Sequence, residues 1–167
     1  MSDTLKKYAD LLGGDQKALA NLGTVMPNGA PQVTPVWFDY DGKVFRVNSA
    51  KGRVKDRNMR RNPAVSLAIV DPANPYRYVG VQGRVVEITE QGADAHIDSL
   101  AKKYLGQDRY PFRSAGEVRV IYKIAPDRTS GMGWARHDAE RRHLRTRREP
   151  VAAAARGRDR VPPGEAC

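Results

Sequence analysis

Turn-forming clusters constrain this chain more than any other feature of it. Pro27-Asn28-Gly29 and Asp41-Gly42 cut its first third into short segments, and Asp71-Pro72-Ala73-Asn74-Pro75 turns it again in the middle. Asn-Gly and Asp-Gly pairs accept positive φ cheaply, so they close hairpins between neighbouring strands. The segments between them are enriched in β-branched and aromatic residues, which predicts antiparallel strands near 19–26, 31–40 and 43–49. "AVSLAIVD", 64–71, is almost continuously apolar and predicts a strand buried on both faces. "YRYVGVQGRVVEIT", 76–89, is long for one strand, and Gly80 and Gly83 inside it predict the bulge or bend that closing a barrel requires. In "GEVRVIYKIAPDRT", Val118, Val120, Tyr122 and Ile124 alternate with Arg119, Ile121 and Lys123, giving a last strand with one mostly polar face.

Helical patterns are fewer. "SDTLKKYADLL" offers Ser2 or Asp3 as an N-cap and aligns Leu5, Tyr8, Leu11 and Leu12 on one face before Gly13-Gly14 stops it. "EQGADAHIDSLAKKYLG" sets Ile97, Leu100, Ala101, Tyr104 and Leu105 at helical spacing and ends on Gly106, a natural C-cap. Six hairpin-linked strands with so few helices point to an antiparallel barrel, because a doubly wound sheet needs a helix between successive strands. A barrel of this size is filled by its own side chains, so a ligand has to sit at an edge or between subunits.

Charge and composition limit the function. The formal charge of +10 suggests nucleic acid as a partner. Residues 136–167, however, hold nine arginines, no lysine and five acids, so much of the excess lies in one tail. That tail has no aromatic residue and few large aliphatics; it cannot bury enough apolar area to offset its ordering entropy and is read as a disordered arginine-rich segment following a domain at 1–135. A basic arm for nucleic acid or anionic lipid is the alternative for it. The single cysteine is Cys167, so neither an intrachain disulfide nor a thiolate cluster is expected, and the setting is expected to be cytoplasmic. No apolar run reaches membrane-spanning length, and "MSDTLKKYADLL" lacks the apolar stretch of an export signal.

Catalytic constellations are missing. Of the three histidines, His137 and His143 lie in the tail and His96 falls on the polar side of its helical pattern, so no metal-ligand set is expected. No nucleophile elbow, Walker loop or dinucleotide fingerprint occurs. What remains is the stretch "SAKGRVKDRNMRRNP", in which Lys51, Arg53, Lys55, Arg57, Arg60 and Arg61 stand within eleven residues against one acid, Asp56. On a helical wheel Arg53, Arg57, Arg60 and Arg61 gather on one side while Lys51 and Lys55 point to nearly the opposite one. A helix built to lie on DNA would collect its cations on one outward face. A strand ending at Ser49 and a helix starting soon after would offer free N–H groups to an anion, with Arg53 and Lys55 in the turn. The same run also suits a solvated helix face, and spacing alone does not separate the two readings.

"VMPNGAPQVTPVWFDYDGKVFRVNSAKGRVKDRNMRRNPAVSLAIVDPANPYRYVGVQGRVVEIT", followed by "KYLGQDRYPF", resembles the split β-barrel flavin and deazaflavin proteins of the pyridoxamine-phosphate-oxidase-like superfamily. Within that superfamily it is most similar to the actinobacterial coenzyme F420-dependent oxidoreductases. The resemblance spans about residues 18–130 and implies a six-stranded antiparallel split barrel with a few peripheral helices. It also implies a homodimer holding one cofactor per groove at the subunit interface. "QVTPVW" resembles the strand lying along the tricyclic ring, which nominates Gln32, Thr34, Val36 and Trp37. "NSAKGRVKDRN" resembles the segment holding the phosphate and acidic tail of the cofactor, which nominates Ser49, Ala50, Arg53, Lys55 and Arg57.

The activity implied is hydride transfer from reduced coenzyme F420 to a small organic acceptor, with the cofactor carrying the chemistry and no side chain nominated as catalytic. FMN is the alternative cofactor, in an oxidase or reductase of the same fold. A cofactor carrier without turnover and a basic nucleic-acid-binding protein are the other readings. Neither membrane nor nucleic acid is the expected partner, and the acceptor is not readable from the residues.

Overall fold

In the computed structural model, residues 2–13 and 16–133 are described; the tail expected at 136–167 lies outside the described residues. Ser2 caps the first helix, its hydroxyl accepting the Leu5 N–H at 3.3 Å. The helix expected over the whole opening run breaks at Tyr8 into α1 (Asp3–Lys7) and α2 (Ala9–Leu12). Leu5, Tyr8, Leu11 and Leu12 are nonetheless all buried, as their spacing predicts.

The strands are β1 (Ala20–Val25), β2 (Pro31–Val36), β3 (Phe38–Tyr40), β4 (Phe45–Ala50), β5 (Ala64–Asp71), β6 (Asn74–Thr89) and β7 (Arg119–Met132). Helix α3 (Val54–Arg61) joins β4 to β5, and α4 (Ala93–Leu105) joins β6 to β7. All seven strands form one antiparallel sheet in the order β2-β1-β5-β6-β7-β4-β3.

Among the described residues there are seven strands, where six were expected, because the segment 31–40 is broken at Trp37. Val36 ends β2 at one edge of the sheet and Phe38 begins β3 at the other. Two residues of chain span at most about 7 Å. The sheet must therefore curl until its two edges adjoin at Trp37, a barrel with a seam.

The long strands carry the curvature. Pairing between β6 and β7 shifts register between Gln82 and Gly83 and again between Val85 and Glu87. Gly83 permits this: a Cβ there would lie 2.4 Å from the carbonyl oxygen of Ala125. Inside the curl, Leu22, Phe38, Phe45, Val47, Leu67, Ile69, Val79, Val120, Tyr122 and Ile124 pack into one core with Leu5, Tyr8 and Leu11 and with Met59 of α3. A smaller cluster of Ile97, Leu100 and Tyr104 packs with Trp37 and Tyr110.

Two face assignments change. In β5 only Val65, Leu67 and Ile69 are buried, with Ala64 and Ser66 exposed on the other face, so the strand expected to be covered on both sides is covered on one. Apolar content alone does not separate a doubly covered strand from one whose second face carries only small residues. In β7 the reverse holds: Arg119 and Ile121 are buried as well as Val120 and Tyr122, because α4 packs on the face expected to be polar. Arg77 fastens the N-terminal helices to the sheet. Its guanidinium holds Asp10 in two bonds (2.9 and 2.7 Å) and Asp71 at 3.0 Å. No helix among the described residues is long and apolar enough to cross a membrane.

Candidate functional site

After β4 the chain turns through Lys51-Gly52-Arg53 into α3, and Gly52 takes a φ of +84° that glycine tolerates best. Asp56, in the first turn of α3, reaches back to accept the Gly52 N–H at 2.7 Å. Its other oxygen accepts the Tyr122 phenol at 2.5 Å and Arg60 Nε at 2.7 Å. Burial by itself would raise the Asp56 carboxyl, but these three donors more than offset it and hold the group below the usual carboxylate range. The one acid of the basic stretch is thus the anchor of its turn.

Most of the cations are engaged elsewhere. Lys51 pairs with Glu90 at 2.6 Å, Arg57 donates to the Gly52 carbonyl, Arg60 to Asp56, and Arg61 to the Val25 carbonyl. Arg53, which pairs with Glu117, and Lys55 face a recess of about 190 Å³. Its apolar wall consists of Pro35, Val36, Trp37, Ile97, Tyr110 and Phe112; its polar end consists of Asn48, Ser49, Arg53, Lys55 and Arg119.

The polar end is short of negative charge. Lys55 is half-buried and makes no hydrogen bond or ion pair among the described residues. Burial first, and then the charges of Arg53 and Arg119, hold its ammonium below the ordinary lysine range. Among the described residues the buried Ser49 hydroxyl has no partner. A buried donor left unmade costs about 1–3 kcal/mol, so a ligand oxygen here would find unmet demand. No side chain caps the start of α3, which leaves its first N–H groups to an incoming anion. Arg119, only 4% exposed in its side chain, donates to Asn48 Oδ1 at 2.8 Å and to Glu117 Oε1 at 2.6 Å. Glu117 Oε2 accepts from Arg53 at 3.1 Å.

Behind this end, Asn48 donates to the Ala93 carbonyl at 2.8 Å and lies 3.3 Å from His96 Nδ1. His96 Nε2 is 3.4 Å from Asp39, whose carboxylate Arg46 holds by two bonds of 2.7 Å. His96 is therefore buried rather than solvated as expected. It stands three residues from Ala93 and four from Leu100, on the stripe of α4 that packs inward.

The wall is built of aromatic contacts. Trp37 stacks on Tyr104 with ring centroids 5.2 Å apart, Tyr110 meets Trp37 edge-on at 5.8 Å, and Phe112 meets Tyr110 edge-on at 5.6 Å. Arg119 sits 5.2 Å from the centre of the Tyr110 ring. Phe112 is 65% exposed.

Of the nine nominated residues, Val36, Trp37, Ser49, Arg53 and Lys55 line this recess. Gln32 and Thr34 lie further along β2 in a hydrogen-bond chain, with Asn58 donating to Thr24, Thr24 to Gln32 and Gln32 to Thr34. Ala50 is buried at the end of β4, and Arg57 is exposed beside Gly52. Asn48, Ile97, Tyr110, Phe112 and Arg119 line the recess without having been nominated. Tyr110 and Phe112 stand in "KYLGQDRYPF", the one local signal that pointed to them. Arg119 carried none, since its burial depends on α4.

The recess sets an aromatic wall beside a cationic end. No group of acids, histidines and cysteines suited to a metal ion occurs among the described residues. Among the described residues, a hollow of about 510 Å³ lies past Arg46, Glu87, His96 and Lys123, and two others, of about 540 and 500 Å³, run over the open face of the sheet past Gly23, Val33, Ser66 and Gln82. Arg128 lines both of these two, with Asp127 in the second. The partnerless Ser49 hydroxyl and Lys55 ammonium fit the phosphate of a flavin-type cofactor.

The pyridoxamine 5′-phosphate oxidase family matches residues 6–133. The chain is similar to a protein named F420 reductase, at 36% identity over 72% of this chain and 94% of that one, with a TM-score of 0.63. Its fold is similar to that of a conserved hypothetical protein from Mycobacterium tuberculosis, at 24% identity, 79% and 84% coverage and a TM-score of 0.61. It is also similar in fold to general stress protein 26 from Bacillus anthracis, at 20% identity, 78% and 94% coverage and a TM-score of 0.55.

Proposed function

The chain belongs to the pyridoxamine 5′-phosphate oxidase family, whose members bind flavin-type cofactors, and from that premise we propose that it is a coenzyme F420-dependent oxidoreductase reducing a small organic acceptor. The observation that carries this reading is the cluster of Lys55, Arg53, Arg119 and the partnerless Ser49 hydroxyl beside the wall of Trp37 and Tyr110. The 36% likeness to a protein named F420 reductase supports the choice of cofactor.

In this reading Ser49, Arg53, Lys55 and Arg119 bind the cofactor's phosphate, and the outward Arg57 meets its acidic extension. Val36 and Trp37 fix the ring, while Tyr110 and Phe112 exclude water from its face. The bound deazaflavin ring supplies the hydride. The acceptor would take up that hydride together with one proton, for which solvent is the proposed source, and no side chain is nominated as catalytic.

The functional unit proposed is a homodimer. Small-molecule sites usually measure about 300–1,000 Å³, so the recess of about 190 Å³ in one chain is part of a site. The open sheet face, with Val33 63% exposed, is the surface available for pairing. An FMN-dependent enzyme of the same fold is the second reading. It is favoured by the charge balance of the recess, where three cations face only Glu117 and leave room for a phosphate dianion.

Fluorescence titration of the cofactor-free protein with each cofactor is the test. Coenzyme F420 should bind much more tightly than FMN, and Lys55→Ala should weaken that binding by about 1–3 kcal/mol, the scale of a charge-assisted bond. Equal or reversed affinities for the two cofactors reject the proposal.

A further inference from the structure

We propose that Glu117 is a resident carboxylate that holds the place of the ligand's anion on Arg53 and yields it on binding, so that it sets how much negative charge the recess accepts. The proposal rests on the reading of the recess as an anion site. Glu117 spreads its two oxygens over two cations, Oε1 on Arg119 and Oε2 on Arg53, much as two phosphate oxygens would.

The two contacts are unequal. Arg119 is buried, is held by Asn48 as well, and meets Glu117 at 2.6 Å. Arg53 has a half-exposed side chain, meets Glu117 at 3.1 Å, and its guanidinium makes no other bond among the described residues. Exposed ion pairs are weak because water competes for both partners. The contact to Arg53 is therefore the exchangeable one, while Arg119 keeps the carboxylate nearby.

Electrostatics favour the exchange. Lys55 feels Arg53 and Arg119 as positive neighbours and has no counter-ion of its own among the described residues. A ligand anion arriving at Lys55 and Ser49 brings the charge that Glu117 supplies only from one side. Glu117 also follows the Tyr110 and Phe112 segment in the chain, its N–H bonded to the Ser114 carbonyl at 3.1 Å. Releasing Arg53 thus frees one tie between that segment and the start of α3.

A purely structural role predicts the opposite sign. If Glu117 only buttressed Arg53 and Arg119, neutralising it would loosen both and weaken anion binding.

The test uses the full chain with two probes, inorganic phosphate followed by thermal shift and FMN followed by fluorescence. Glu117→Gln keeps the shape and should tighten phosphate three- to tenfold, and the gain should vanish in an Arg53→Ala background. Glu117→Asp, which keeps the charge beside Arg119 but shortens its reach, should also tighten binding. Weaker or unchanged phosphate binding in both variants, no phosphate binding at all, or an equal gain with and without Arg53 overturns the assignment. If phosphate responds as expected while neither FMN nor coenzyme F420 binds, the cofactor reading falls and the role of Glu117 stands. If the cofactors bind and neither substitution tightens phosphate, the role of Glu117 falls alone.

Discussion

The Tyr122 phenol donates a 2.5 Å hydrogen bond to Asp56 Oδ1, tying the first part of β7 to the first turn of α3 across 66 residues of sequence. Both groups are buried, and the phenol is held well above its ordinary range by burial and by the carboxylate it serves. Tyr122→Phe removes one of three donors to a buried carboxylate. It should cost about 1–3 kcal/mol in urea denaturation and loosen the turn that aims Arg53 and Lys55. Because Asp56 has a lowered folded pKa, its contribution is present above the unfolded value near ~3.9 and is lost as pH falls through the folded one. The stability gap between wild type and Tyr122→Phe should therefore shrink in strong acid; a gap constant down to acid unfolding would refute this account of Asp56.

Lys55 gives a second pH dependence, of opposite sense for binding and folding. Its folded pKa lies below that of a free lysine. Anion binding needs the ammonium, so affinity for phosphate or FMN should fall as pH rises and should begin to do so below the usual lysine value of about 10.4. Folding gains over the same interval, because deprotonating a half-buried lysine removes its desolvation cost. Affinity measured from pH 7 to 10 checks this, with Lys55→Ala expected to flatten the profile.

Phe112 separates binding from stability. Its ring is mostly exposed, so Phe112→Ala should leave unfolding free energy within about 0.5 kcal/mol of wild type. Loss of one edge of the aromatic wall should nevertheless weaken flavin or deazaflavin binding by about 0.5–1.5 kcal/mol. A stability loss with unchanged affinity would mean that the ring packs within the fold.

Gly83 tests the curl. Gly83→Ala sets a methyl carbon 2.4 Å from a backbone oxygen that belongs to the β6–β7 ladder and cannot swing aside. The expected cost is about 1–3 kcal/mol, read as a lower denaturation midpoint. Gly80→Ala, which meets only the Ser130 hydroxyl at 3.0 Å, should cost less.

Val33 tests the proposed pairing. Val33→Lys on the open sheet face should leave the monomer fold intact and shift light scattering from dimer to monomer, weakening cofactor binding with it. A monomeric wild type would remove the basis of the shared site.

Much of the local structure was legible along the chain. Pro27-Asn28-Gly29 and Asp41-Gly42 marked hairpins, Gly83 marked the bend in β6 while Gly80 pairs in regular register, and Leu5, Tyr8, Ile97 and Leu100 marked buried helical positions. The break at Trp37 was not legible, because the apolar alternation runs through it without a turn residue and only the meeting of two sheet edges forces it. His96 and Arg119 were hidden for a related reason: each is polar in sequence, and each is buried by an element distant in the chain.

The basic stretch divides along the same line. Its local sequence determined that a short helix would follow the strand ending near Ser49, since that depends on residues within a few positions of one another, and it left an anion site and a solvated helix face as equal readings. Which cations would be left for a ligand was decided only by the folded sheet. Lys51 is claimed by Glu90, Arg53 is shared with Glu117 and Asp56 is claimed by Tyr122, partners 39, 64 and 66 residues away. Charge in a sequence is a sum, but availability at a site is what remains after pairing in three dimensions, and that remainder exists only once the chain has closed on itself.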